Sequence, residues 1–270
     1  MDSPGSGSAL DPEGLKRVRS AMKILFLGTS CAEPVADIGF TSFLISAERS
    51  LILVDASGNP VQSILKAGVD PAALDLVVLT HYHADHIAGY PSLVQTLGCL
   101  GRDKELVVVC GEATLQKVLG LHALLELDPP NTPFPVRFKD NFSAADLQIQ
   151  LFPGNHSVPS SMVRVRYKDR GLLYTSDTAF TPQVAEAARG CATLIHEATF
   201  SHTRIGDPGH KGHSSAYQAG LAAADAGVER LILCHICWHK YSSARAIPEE
   251  AGSVFHGEII VPELFTWYAV

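Results

Sequence analysis

Apolar runs alternate with polar breaks along most of the chain, and the runs are of two kinds. Short runs rich in β-branched residues are typical of buried strands, whereas longer segments with apolar residues three and four positions apart are typical of helices. The first half contains predicted strands at Met22–Gly28, Thr41–Ala47, Leu51–Asp55, Asp75–Thr80 and Leu106–Cys110. It contains predicted helices at Asn59–Ala67, His86–Leu97 and Glu112–Leu125.

The second half repeats this mixture of strands and helices. Its predicted strands are Val136–Phe138, Leu147–Phe152, Met162–Tyr167, Leu172–Ser176, Thr193–His196, Arg230–His235 and Glu258–Val261. Its predicted helices are Pro182–Ala188 and Ser214–Ala226. Two such halves predict an α/β protein, a four-layer αββα sandwich in which two sheets face each other and the helices lie outside. The polar, glycine-containing segment Ser201–Gly212 is the best candidate for a mobile loop.

Length and composition indicate one globular domain. The chain has 270 residues, of which 46% are hydrophobic and 18% are charged, enough for an ordinary apolar core. No low-complexity linker interrupts it, so we predict a single domain over residues 21–270. Residues 1–20 are rich in Gly, Ser, Pro and charge, and we expect a disordered tail or an expression remnant there.

The net charge of −7 argues against a broad electrostatic grip on nucleic acid, which usually needs a basic face. No apolar segment reaches the roughly 20 residues of a membrane helix, and no signal-peptide apolar region precedes the domain. The six scattered cysteines are expected to be small buried hydrophobes in a reducing, cytoplasmic setting. The pair Cys234–Cys237 lacks the second CxxC that a structural zinc site needs.

The segment Thr80–His86 (THYHADH) follows the apolar run Leu76–Leu79 directly. Three histidines this close together would repel one another when protonated, and buried neutral imidazoles would each need a partner. A bound metal ion solves both problems. The alternative for Asp85 alone is that it caps the following helix.

Three further candidate ligands lie at or just after the ends of predicted strands. His156 follows the strand Leu147–Phe152, Asp177 follows Leu172–Ser176, and His235 ends the strand that begins at Arg230. The nitrogen and oxygen ligands offered in total are His81, His83, Asp85, His86, His156, Asp177 and His235. One tetrahedral ion needs three or four ligands, so seven suit two divalent ions with a bridging carboxylate.

The motif HxHxDH, followed by a single His, a single Asp and a single His at strand ends, resembles the metallo-β-lactamase superfamily. Four other segments resemble its RNase Z-like branch: Phe26–Ser30 (FLGTS), His156–Pro159 (HSVP), His196–Phe200 (HEATF) and Gly212–Ala216 (GHSSA). The similarity extends from about Met22 to Val261. It implies the four-layer fold and the cleavage of phosphodiesters.

The resemblance also implies a role for each matching residue. His81, His83 and His156 would bind one metal ion, Asp85, His86 and His235 the other, and Asp177 would bridge them. Asp85 would also be able to accept a proton from the attacking water. Glu197 and His213 would form a proton-donor pair for the leaving group. The ligand types suit zinc first, with manganese or iron as alternatives.

One departure affects the substrate. The tRNA-processing members carry a long arm between the single His and the bridging Asp, whereas 20 residues separate His156 from Asp177 here. We therefore expect a small or cyclic phosphodiester as the substrate, no membrane partner, and a homodimer as one option. The alternatives are a tRNA 3′-processing endonuclease, a lactone or β-lactam hydrolase, a mononuclear iron dioxygenase acting on sulfur, and a non-catalytic binding protein.

Overall fold

The computed structural model describes residues 22–47, 49–128, 131–207 and 211–270, so the predicted tail at 1–20 lies outside the described residues. The strands of the first sheet are β1 (Lys23–Gly28), β2 (Ser42–Ala47), β3 (Ser50–Val54), β4 (Leu76–Leu79), β5 (Leu106–Cys110), β6 (Val136–Lys139) and β14 (Trp267–Ala269). Those of the second sheet are β7 (Asn141–Ala144), β8 (Leu147–Pro153), β9 (Ser161–Tyr167), β10 (Arg170–Tyr174), β11 (Thr193–Glu197), β12 (Arg230–Cys234) and β13 (Glu258–Ile260).

The described helices are short and lie between strands. They are α1 (Pro60–Lys66), α2 (Ala84–Ile87), α3 (Tyr90–Cys99), α4 (Glu112–Leu125), α5 (Pro182–Ala188), α6 (Ala216–Ala226) and α7 (Ala246–Gly252). Helix α6 begins at a capping box formed by Ser215 and Gln218 and ends at Gly227 in the left-handed conformation. Within the described part of the chain, no helix has the length and apolar character needed to cross a membrane.

The two sheets have the same internal organisation. In the first, the order is β14-β1-β2-β3-β4-β5-β6, with antiparallel pairing up to β3 and parallel pairing from β3 to β6. In the second, the order is β13-β12-β11-β10-β9-β8-β7, with parallel pairing from β10 to β13 and antiparallel pairing for the rest. The parallel strands of a sheet all end at one edge, so side chains that follow them are brought together.

Three apolar clusters separate the layers. The central cluster joins residues of both sheets, for example Phe26 and Phe43 with Tyr174. The second packs the first sheet against its helices, and the third packs the second sheet against α5, α6 and α7. This arrangement of helix, sheet, sheet and helix layers confirms the predicted αββα sandwich, whereas the extent of the domain over residues 21–270 stays a prediction.

The prediction of one continuous helix over His86–Leu97 is wrong. The chain forms two helices there, α2 and α3, with a break at Gly89. The Gly89 N–H donates to the carbonyl of Ala56 at 2.8 Å. A Cβ at position 89 would lie 2.5 Å from Pro60 Cδ and 2.7 Å from the Ala56 oxygen, so only glycine allows this close approach. The hydrophobic pattern also failed to predict β7, β14 and α7.

The cysteines require a second correction. Cys110, Cys191 and Cys234 are buried thiols, as the apolar setting predicted, but Cys99 is exposed. Cys31 and Cys237 form a disulfide, so not every cysteine is a free thiol and Cys237 is not half of a zinc site. These two residues are 206 positions apart, and only the fold brings them together.

Candidate metal centre

The candidate site lies at the edge where strands of both sheets end. His81 follows β4 of the first sheet, while Asp177 and His235 follow β10 and β12 of the second. His235 has a φ of 51°, in the left-handed region that residues other than glycine rarely adopt. Asp55, directly after β3, and Ser176, just before Asp177, have φ angles of 56° and 52°. These turns at the strand ends redirect the chain where the polar side chains converge.

One group of ligand atoms comes from His81, His83 and His156. The Nδ1 atom of His83 lies 3.1 Å from Nε2 of His81 and 3.1 Å from Nε2 of His156. A single hydrogen on this nitrogen can point at only one of the two neighbours. Nitrogen ligands of a tetrahedral zinc ion, each roughly 2.0–2.1 Å from the metal, lie about 3.4 Å apart. The spacing therefore suits a shared cation better than a chain of hydrogen bonds.

A second group comes from Asp85, His86 and His235. The Oδ2 atom of Asp85 lies 3.5 Å from Nε2 of His86 and 3.5 Å from Nε2 of His235. Both histidines are buried, and neither Nε2 atom has a hydrogen-bond partner among the described residues. Buried polar atoms without a partner are costly, so these nitrogens indicate that a ligand is needed there.

Asp177 lies between the two groups. Its Oδ2 atom is 3.2 Å from Nε2 of His235 and 3.5 Å from Nε2 of His86. On the other side the same oxygen is 3.7 Å from Nε2 of His81 and 3.8 Å from Nε2 of His156. The structure thus brings together all seven predicted ligands, and the Asp177 carboxylate lies between the two groups, where the resemblance implied a bridging residue.

The protonation states of His81, His83, His156 and Asp85 suit a metal site. Burial and the neighbouring His86 hold the pKa of His81 well below its usual value, and burial also lowers the pKa of His83 and of His156. Neutral imidazoles have a free electron pair to donate. Burial alone would raise the pKa of Asp85, but the neighbouring His235 and His86 together outweigh it and lower the pKa to about 2. The donor set therefore fits divalent cations.

The second nitrogen of several histidines is held by a fixed partner, as metal ligands require. Nδ1 of His86 lies 2.8 Å from Oδ2 of Asp55, and Nδ1 of His156 lies 2.7 Å from the Gly212 carbonyl. Asp55 is a residue that the sequence analysis missed, although its predicted strand ended on this aspartate. The signal that identified Asp177 and His235, a polar residue at the end of an apolar run, could have found it.

Glu197 and His213 lie beside the seven candidate ligands, which are together called the metal-ligand cluster below. Oε1 of Glu197 lies 3.1 Å from Nδ1 of His213, and Oε2 accepts the backbone N–H of Ser214 at 3.0 Å. Thr178 donates its N–H and Thr199 its hydroxyl to the same carboxylate, at 2.7 and 2.5 Å. Burial alone would lower the pKa of His213, but the Glu197 carboxylate outweighs it and raises the pKa to about 9. The imidazole is therefore protonated at neutral pH.

His213 lies between the metal-ligand cluster and a cavity. One ring nitrogen of His213 lies within 4.8 Å of ligand atoms of Asp177 and His235. On the other side, His213 lines a cavity of about 540 Å³ together with Phe180, Ile205, Lys211 and Gln218. An acid in this position can contact a group that is bound between the metal-ligand cluster and the cavity.

Comparisons with known proteins match most of this chain. A family model described as a beta-lactamase superfamily domain matches residues 51–236. A ribonuclease Z of Ignicoccus hospitalis is 26% identical over 292 residues, which cover 89% of this chain and 95% of that protein.

Two solved structures extend the comparison to the fold. The metallo-beta-lactamase fold protein YhfI of Bacillus subtilis aligns with a TM-score of 0.80 at 23% identity, covering 92% of this chain and 99% of that one. A diphosphatase from the PhnP family aligns with a TM-score of 0.71 at 16% identity, covering 92% and 98%. At these identities the two structures support the fold alone.

Proposed function

We propose, from the premise that this chain belongs to the β-lactamase superfamily and to its ribonuclease Z-like branch, that it cleaves small or cyclic phosphodiesters. The chain is a metal-dependent hydrolase, and the proposal concerns the substrate, the metal and the role of each residue. The observation that supports it best is the central position of the Asp177 carboxylate, within 3.2–3.8 Å of four histidine nitrogens. Such a carboxylate suits a pair of cations.

The metal ligands are assigned in two groups around Asp177. His81, His83 and His156 would hold one divalent ion, and Asp85, His86 and His235 the other, with zinc as the preferred metal. When bound, two such ions supply positive charge that offsets the charge of the diester and acidifies a water molecule. The anionic Asp85 carboxylate is assigned a second role, as acceptor of the proton that this water loses.

The leaving group needs a proton, and His213 is assigned as its donor. The Glu197 carboxylate keeps the imidazole protonated, and Glu197 is itself fixed by the N–H groups of Thr178 and Ser214. His213 faces the cavity, where Phe180 and Ile205 offer apolar surface and Lys211 offers a positive charge. This combination suits a leaving group with an organic body and an anionic phosphoryl centre nearby.

Two features favour a small substrate over RNA. All the residues between His156 and Asp177 are described, and β9 and β10 with a tight turn occupy most of this segment, which leaves no room for an arm. The net charge of −7 also disfavours a broad contact with a polyanion. The similarity to a ribonuclease Z over 89% of the chain keeps tRNA 3′ processing as a second candidate.

A substrate panel tests the proposal with enzyme of measured zinc, manganese or iron content. The panel contains bis(p-nitrophenyl) phosphate, 2′,3′- and 3′,5′-cyclic nucleotides, a dinucleotide, a precursor tRNA, a β-lactam and a lactone. We expect turnover of the small diesters, with none in Asp177→Ala and full turnover in Asp225→Ala, a control on the exposed surface of α6. Faster cleavage of the precursor tRNA would favour the second candidate. Turnover of only the lactone or the lactam would contradict both.

A further inference from the structure

The disulfide between Cys31 and Cys237 joins two loops beside the metal-ligand cluster. Cys31 lies three residues after the end of β1, and Cys237 lies two residues after His235. Both side chains are only 2% exposed. The proposed reaction uses neither sulfur atom, so the bond needs another explanation.

Backbone hydrogen bonds continue the connection between these loops. Ile236, between His235 and Cys237, donates its N–H to the Thr29 carbonyl at 2.9 Å, and its own carbonyl accepts the Cys31 N–H at 3.2 Å. The Cys237 N–H donates to the Thr199 carbonyl at 3.2 Å. The chain directly after His235 is therefore fixed by one covalent bond and three hydrogen bonds.

His235 itself depends on its surroundings for its conformation. With a φ of 51°, it adopts a left-handed backbone conformation that is uncommon for residues other than glycine, and such conformations persist only where neighbouring contacts impose them. Its N–H donates to Oγ1 of Thr41 at 3.0 Å, and this hydroxyl donates to the carbonyl of Ser30, the neighbour of Cys31. The position of this histidine is thus coupled to the loop that contains Cys31.

The other group of ligands is held by different segments. His81 and His83 follow β4, and Nδ1 of His156 lies 2.7 Å from the Gly212 carbonyl. Loss of the disulfide would therefore affect the two groups unequally.

We propose that the Cys31–Cys237 disulfide positions His235, so that oxidation of this pair completes the metal site formed by Asp85, His86 and His235. The inference rests on the metal assignment given under the proposed function but not on the identity of the substrate. In the reduced protein the second group has a lower metal affinity, while the group of His81, His83 and His156 keeps its own.

The bond forms by thiol–disulfide exchange with a low-molecular-weight disulfide such as oxidised glutathione. One protein thiolate attacks this disulfide and releases one glutathione thiolate. The second protein thiolate then attacks the mixed disulfide and releases the other. The two cysteines lose two electrons and two protons in total, and the glutathione disulfide gains them. Burial of both sulfurs then protects the bond from further exchange.

The test measures zinc affinity in variants that isolate each group, by competition with a chromogenic chelator. His83→Ala leaves the second group to be measured, and His235→Ala leaves the first. Each is combined with Cys31→Ser, with Cys237→Ser or with Cys99→Ser, the last being a control because Cys99 is an exposed free thiol. We expect Cys31→Ser and Cys237→Ser to weaken zinc binding about 10-fold or more in the His83→Ala background, as loss of a supporting contact does at other metal sites.

The two backgrounds distinguish a local effect of the disulfide on His235 from a general effect on the fold. The same substitutions should leave zinc affinity unchanged in the His235→Ala background, and Cys99→Ser should have no effect in either. Equal affinities with and without the disulfide would overturn the proposal, as would equal weakening of both groups, since the bond would then support the whole fold. Thiol titration of the denatured, air-oxidised wild type should find four of the six cysteines reactive, and six would also overturn it.

Discussion

Asp55 Oδ2 lies 2.8 Å from Nδ1 of His86, although the two residues come from different segments of the chain. The other oxygen of Asp55 accepts the backbone N–H of Thr80 at 2.9 Å. Asp55 thus orients the histidine ring and fixes the start of the HxHxDH segment at the same time. A buried carboxylate outside the seven candidate ligands therefore supports the candidate metal site.

Asp55→Asn should weaken metal binding. The amide is nearly isosteric, but it lacks the negative charge that orients His86, and loss of such contacts typically costs about 10–100-fold in metal affinity. Chelator competition measures this directly, and excess metal should restore most of the activity. Asp225→Asn, on the exposed surface of α6, serves as the control. Unchanged affinity in Asp55→Asn would show that this contact is dispensable.

Asp177→Ala should abolish turnover and lower the metal content of the purified protein. Removal of the carboxylate leaves four histidine nitrogens around an empty centre and takes away the ligand shared by both groups. Elemental analysis of the variant should find fewer than two ions per chain. Two retained ions would contradict the assignment of Asp177 as a bridge.

His213→Ala should keep both metal ions and slow diester cleavage by about 10²–10⁴-fold, the usual contribution of a general acid. The effect should be largest for alkoxide leaving groups and smallest for p-nitrophenolate, which leaves without a proton. His256→Ala, at an exposed position, is the matched control. Equal slowing for all leaving groups would mean that His213 does not donate the proton.

The pH dependence should report the Glu197–His213 pair. Because the pKa of His213 is raised to about 9, the acid form is present at neutral pH and is lost as the pH rises through about 9. We expect kcat/KM for poor leaving groups to fall over that range. Glu197→Gln removes the charge that outweighs burial, so the fall should move to lower pH. An unchanged pH profile in Glu197→Gln would show that Glu197 does not raise the pKa of the group that limits kcat/KM.

Gly28→Ala should destabilise the fold by about 3 kcal/mol, the upper part of the range for overpacking. A Cβ there would lie 2.1 Å from the Phe40 oxygen and 2.5 Å from the Gly39 oxygen, and both are backbone atoms that cannot move aside alone. Gly120→Ala is the contrasting control, because nothing lies within 4 Å and a helical Ala gains about 1 kcal/mol over Gly. Denaturant unfolding of both variants measures the difference.

Local sequence was sufficient to predict an element where its own hydrophobic pattern specified the secondary structure. Strands such as Leu106–Cys110 were predicted because continuous β-branched apolar runs favour buried parallel strands. Local sequence was insufficient where contact with a distant segment determined the secondary structure. The helix break at Gly89 depends on a close approach to Ala56 and Pro60, and the edge strand β14 depends on pairing with β1. Neither partner is visible in a window of local residues.

For the site, the sequence by itself indicated the chemistry, because seven imidazole and carboxylate side chains at or near the ends of apolar runs suit a pair of cations. The tertiary structure alone decided which atoms meet. It placed Oδ2 of Asp177 between the two groups, added Asp55 behind His86, and joined Cys31 to Cys237. The physical reason is that the ligand atom a side chain can offer is a property of each residue. The 3–4 Å distances between ligand atoms, in contrast, arise only when the two sheets pack with their strand ends at one edge.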